Sequence, residues 1–292
     1  WEKIASQPGA AKVIADARKD AASPPPELPD ELYLEFTQNG NRNRYEAPYF
    51  VRTRRILNFA KAEGFLNQGE FLPALEAELR ALCADRSWVM PAHDSGLENF
   101  NRTRYYGDLG ATARALLAAT VSWWFQDKLP ADLQADIKAN IMLRVLEPYR
   151  EVFQTGEIPN GLWWMTGGSN WNAVCTANTV ATALTACDSA EERAEFVAAM
   201  EISNPLFLGG FTPDGYCSEG IGYWNYGFGH YLYMAAMVRL ATGGKLDILD
   251  HPVVENACAY AKNIMIDERA APAFADCGVN ARPATTMLWL IQ

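Results

Sequence analysis

Apolar residues recur at spacings of three and four along most of the chain, the period of an amphipathic helix. In EFLPALEAELRALC the residues Leu72, Leu75, Leu79 and Leu82 fall on one face. DLGATARALLAATVSWWF opens on Asp108 as a helix N-cap and continues through Leu109, Ala113, Leu116, Leu117 and Trp124, which predict the buried stripe. ADLQADIKANIMLRVLEPYREVF is a long helical pattern in which Pro148 predicts a kink or an end. SAEERAEFVAAM begins with a capping box, Ser189 to Glu192. WNYGFGHYLYMAAMVRLAT stops at Gly243–Gly244. HPVVENACAYAKNIMI has Pro252 in its first turn and His251 as part of the helix start. No run alternates polar and apolar convincingly, so strands are not expected.

Between these segments lie long polar loops rich in Gly and Pro, including PAHDSGLENFNRTRYYGD, IPNGLWWMTGGSN and GGFTPDGYCSEGIG. Loops of that length that keep their own aromatics are usually functional or well packed. The pattern predicts an all-α chain, one α/α barrel or toroid domain over 1–292 with loops gathered at one end. Residues 1–30 form its N-terminal arm and Pro-rich segment. An irregular bundle and an α-solenoid are the alternatives.

Composition narrows the function. The 292 residues are 49% hydrophobic and 21% charged, enough for a sizeable core. A net charge of −10 argues against a nucleic-acid binder. No apolar run reaches the roughly 18 residues of a membrane span. The six cysteines form no C-x-x-C pair and read as reduced, mostly buried thiols, with no metal site. Phosphate-loop, H-E-x-x-H and G-x-S-x-G motifs are absent.

Two stretches carry candidate chemistry. WWMTGGSNWNAVC places Trp163, Trp164 and Trp171 beside Asn170 and Asn172 at a helix start. An N-cap explains one polar residue there. Flat rings with neutral amides also suit a sugar, the ring on the apolar face and the amide on hydroxyls or a carboxylate. TPDGYCSEGIGYWNYGFGHY gathers Asp214, Glu219, Tyr223, Tyr226 and His230 among glycines, and Tyr223 and Tyr226 are spaced to share a helix face. Half-buried tyrosines with satisfied hydroxyls are the plain alternative. Glu219 can equally accept backbone N–H bonds in its loop. His93–Asp94 can be a catalytic element or a metal ligand pair, but reads first as a hydrogen-bonded turn, with a substrate contact by His93 as the second reading. Arg42, Arg44, Arg52, Arg54 and Arg55, against Glu46 alone, are either a solvated ion-paired face or an anion-binding wall.

WVMPAHD, SNWNAVC and DGYCSEGIGYWNYGFGHY, in that order among helices, resemble the heparinase II/III-like polysaccharide lyases over nearly the whole chain. The resemblance implies an incomplete α/α toroid, a bacterial glycan-degrading enzyme of the periplasm or exterior, and β-elimination at a uronic acid. It makes Asn170 the group that neutralises the uronate carboxylate, and Tyr223, then Tyr226, the acid/base. Trp163, Trp164, Trp171, Asn172, Glu219, His93, Arg104 and Trp224 form the substrate-binding set. The partner is a uronate-containing polysaccharide. Where many relatives have Asn-Asn-His, this chain has Ser169-Asn170-Trp171, which leaves the base unassigned. The family's C-terminal β-sandwich, a source of a second His and often a metal, is expected to be absent here, with no cofactor in this chain. A two-carboxylate glycoside hydrolase using Asp94, Asp214 or Glu219, and a non-catalytic carbohydrate-binding module, are the competing functions.

Overall fold

The computed structural model describes residues 1–267 and 270–290, the side chain of Trp289 excepted. About 68% of the chain is helical, and the described residues contain no strand, so the all-α expectation holds. They form two compact units, Trp1–Pro148 and Tyr149–Gln292.

The first unit contains α1 (Glu2–Ala5), α2 (Pro8–Ala21), α3 (Asp30–Asn39), α4 (Asn43–Leu66), α5 (Leu72–Ala84), α6 (Glu98–Asn101), α7 (Leu109–Trp124) and α8 (Ala131–Ile141). Residues 8–21 of the expected arm are thus a helix, and it packs on α4. Leu75, Leu79 and Leu82 are buried, as their spacing predicts. The stripe predicted for α7 is displaced. Its buried face is Ala111, Ala115, Ala118 and Ala119 with Arg114, while Ala113 is exposed and Leu116 and Leu117 are half-buried. Small side chains let helices approach closely, and Arg114 fills the remaining space. Its guanidinium stacks 3.2 Å from the Tyr49 ring centroid and binds Asp85 and the Tyr49 carbonyl.

The arginine-rich stretch is a scaffold. Arg42 pairs with Glu46, Arg44 with Glu35, Arg52 with Asp85, Arg54 with Asp20 and Arg55 with Glu78. Each guanidinium already grips a carboxylate, which corrects the anion-wall reading. Arg52 and Arg55 are buried, where a charge persists only when paired.

Pro148 does not end its helix. A π turn, Met142–Leu146, follows α8, and α9 (Glu147–Thr155) continues through the proline. The wider turn is one way a helix accommodates a residue that cannot donate an N–H. The boundary between the units falls at this proline.

The second unit contains α10 (Asn170–Ala186), α11 (Ala190–Leu208), α12 (Gly220–Tyr223), α13 (Gly229–Ala241), α14 (Pro252–Asn263) and α15 (Thr285–Leu290). The α10 helix is buried almost without a break from Asn172 to Ala183, the signature of a helix enclosed on all sides. It packs on α11, α13 and a second π turn, Trp224–Phe228, that joins α12 to α13. The capping box at Ser189 and Glu192 forms, and His251 caps α14 by accepting the Val253 N–H. None of the six cysteines is in a disulfide.

Candidate functional site

The two chemistry-bearing stretches of the second unit meet at the N-terminus of α10. Ser169 occupies the N-cap position, but its hydroxyl caps nothing. The cap comes from Glu219 in the other stretch. Its Oε2 accepts the Asn170 backbone N–H at 3.0 Å, and its Oε1 accepts the Asn170 side-chain Nδ2–H at 2.6 Å. A carboxylate at a helix N-terminus satisfies a free donor and offsets the positive end of the dipole.

That clamp orients the amide. A carboxylate without a proton accepts only, so the Asn170 NH2 must face it. Asn170 is 4% exposed, and among the described residues its Oδ1 has no hydrogen-bond partner, as is also true of the Ser169 hydroxyl. Both residues line a half-open cavity of about 300 Å³. Ser218, Glu219 and Tyr223 complete its polar wall, and Phe207, Phe211, Phe228 and Cys217 its apolar wall. Burial pushes the Cys217 thiol above its ordinary pKa, so it stays protonated.

Two backbone approaches shape this wall. Gly168 and Gly210 touch backbone to backbone, and a Cβ on Gly210 would lie 2.0 Å from the Gly168 carbonyl oxygen. Gly227, inside the π turn, lies against Asn170, whose Cβ would be 2.8 Å from an added methyl. The π turn also separates the tyrosines expected to share a face. Tyr223 lines the cavity, whereas Tyr226 is 38% exposed and packs edge-on against His230, 5.0 Å between centroids. The Tyr226 carbonyl lies 2.6 Å from His230 Nδ1.

The tryptophans divide. Trp163 is 50% exposed and makes a ring pair with half-buried Trp171, 5.1 Å between centroids at 44°. This pair presents an aromatic surface beside the first turn of α10. Trp164 and Trp224 are fully buried, which corrects their assignment to the substrate-binding set. Trp164 stacks on Tyr149, and the Trp224 Nε1–H donates to the Ala257 carbonyl. Asn172 is also fully buried and donates to the Met165 carbonyl, so it ties the preceding 3-10 segment to α10.

His93 and Arg104 belong to the first unit. His93 Nδ1 donates to Asp108 Oδ2 at 2.6 Å, and Asp108 also caps α7 through the Ala111 N–H. Asp94 is fully buried and accepts from Tyr33, Tyr106 and the Asn99 and Phe100 backbone, so it pins α6 and the loop that follows it to Tyr106. Arg104 is exposed on that loop. Asp214, exposed in its turn, accepts from the Thr212 hydroxyl, which holds its carboxyl below the ordinary range.

The structure therefore brings Asn170, Glu219 and Tyr223 to one cavity, and Trp163 and Trp171, which pair with each other, are not among its described lining residues. The sequence reading missed Phe207 and Gly227, which no local pattern marks. Among the described residues no cluster of His, Cys, Asp and Glu could hold a metal ion, and no helix is long and apolar enough to cross a membrane. No protein-family model matches the chain, and no curated protein shows significant similarity to it.

Proposed function

We propose that the chain is the incomplete α/α-toroid part of a polysaccharide lyase that cleaves a uronic-acid-containing glycan by β-elimination. One observation carries the reading: Asn170, with its amide oriented by Glu219, and Tyr223 line the same cavity. In the reaction the C5 proton leaves, a double bond forms between C4 and C5, and the C4–O4 bond breaks. The departing O4 takes up a proton, so no water is consumed. Tyr223 is the acid/base that moves this proton. The second Asn170 amide hydrogen, the one not held by Glu219, donates to the carboxyl group attached to C5 as negative charge develops there. Trp163 and Trp171 supply the stacking surface for the polymer.

The paired-carboxylate hydrolase fits less well. Among the described residues Glu219 is the only carboxylate lining the cavity, and it is engaged with Asn170. Asp94 is saturated with donors in the first unit.

The test is ultraviolet absorbance of the unsaturated product on a panel of uronate polysaccharides. Absorbance that rises with the parent protein and falls at least about 100-fold in Tyr223→Phe is the expected result. Reducing ends released without that absorbance would establish a hydrolase instead. Binding without either product would establish a carbohydrate-binding module.

A further inference from the structure

We infer that the cavity beside Asn170 takes an uncharged, esterified uronyl residue in preference to a free uronate anion. This rests on the lyase reading for the identity of the sugar, but the charge preference comes from the wall itself.

Among the described residues Glu219 is the only charged one lining the cavity, and none of them gives it a cationic partner. The N-terminus of α10 is the one feature that would welcome an anion, and Glu219 already occupies it. The groups left over are neutral. Among the described residues nothing partners the buried Asn170 Oδ1 or the Ser169 hydroxyl. Rotating the Asn170 amide to present its NH2 would set its oxygen against the Glu219 carboxylate, two acceptors face to face. The clamp therefore leaves a single amide N–H for the ligand. The Ser218 and Tyr223 hydroxyls suit sugar hydroxyls, and the amide N–H suits an ester carbonyl.

A free carboxylate on that N–H would stand across one amide from Glu219. Two like charges about 6 Å apart at a partly buried site repel enough to weaken binding roughly tenfold or more. The chemistry of elimination points the same way. Carbanion character at C5 is opposed by a neighbouring carboxylate, an opposition most effectively relieved by a cation, and the described wall offers only neutral donors, the Asn170 amide and the Ser218 and Tyr223 hydroxyls. An ester carries no such charge, so neutral donors are enough to assist it.

The experiment is calorimetric titration of the protein near pH 6.5 with hexagalacturonate and with its fully methyl-esterified form, followed by ultraviolet absorbance on the same mixtures. The ester is expected to bind at least about tenfold more tightly. Glu219→Gln, which removes the charge and keeps an acceptor, should narrow that gap by strengthening binding of the free acid. Equal or tighter binding of the free acid, or binding of neither form, overturns the inference. The comparison in the unmodified protein decides this alone, whether or not the variant folds. Preferential binding of the ester without absorbance sinks the lyase reading and leaves the charge preference standing. Absorbance from the free acid only does the reverse.

Discussion

Gly227→Ala tests the contact that sets Asn170 in place. Built on the observed backbone, the new Cβ lies 2.8 Å from Asn170 Cβ and 3.0 Å from its Cα. Carbon atoms in good contact sit about 3.5 Å apart or more, so the overlap is about 0.7 Å. The Asn170 Cα is backbone and cannot rotate away. Overpacking of this kind costs about 1–3 kcal/mol. Replacing Gly by Ala in a helix returns at most about 1 kcal/mol. The net expectation is a loss of about 1–2 kcal/mol, or a melting temperature lowered by about 2–8 °C for a unit of this size. Displacement of Asn170 also loosens the Glu219 clamp, and misplacement by a sizeable fraction of an ångström should cost turnover about tenfold or more. Gly9→Ala is the control. Gly9 lies in α2 with nothing within 4 Å of an added Cβ, so this change should stabilise by up to about 1 kcal/mol. Thermal unfolding followed by circular dichroism reads both. A Gly227→Ala protein as stable as its parent, with the same activity, would refute the packing argument.

The adjacent tryptophans should behave oppositely. Trp163→Ala, at a half-exposed ring, should change stability by less than about 0.5 kcal/mol. It should weaken glycan binding about fivefold, the equivalent of roughly 1 kcal/mol of lost stacking. Trp164→Ala empties a fully buried site and should cost about 3–5 kcal/mol, read as a collapse of the unfolding midpoint. Burial holds the His230 imidazole below its ordinary pKa of 6.5. A depressed folded-state pKa gives stability that is present above the unfolded value and lost as pH falls through the folded one. Denaturant titrations should therefore show stability falling below about pH 6.5, with a shallower fall in His230→Gln.

Much of the fold was legible because caps and periodicity act locally. Asp108, Ser189 with Glu192, and His251 cap the helices their positions announce. The α7 stripe was misread because leucines outrank alanines on any hydropathy scale, while close helix packing selects the small face. The arginine stretch was ambiguous because its carboxylates, Asp20, Glu35, Glu78 and Asp85, lie 9 to 34 positions away in sequence. For the site, the aromatic and amide content flagged the right two stretches. It did not separate Trp163 from Trp164, because alternate burial in a short 3-10 segment follows from tertiary packing. Nor did it foresee Glu219 as the cap of α10, a contact across 49 positions.

The π turn at Trp224–Phe228 binds two matters that are usually separable. It holds one residue more than an α-helical turn would, and it sits upstream of α13, whose Tyr231, Leu232, Met234, Ala235 and Val238 are buried. Each residue of an α-helix turns the chain by about 100°, so deleting one here would regularise the helix and swing that whole buried face away from its neighbours. The irregularity that brings Gly227 against Asn170 is thus also the phase setting for the core of the second unit. An engineer seeking a more robust scaffold has no small edit that straightens this helix, because straightening it would mean repacking everything after it.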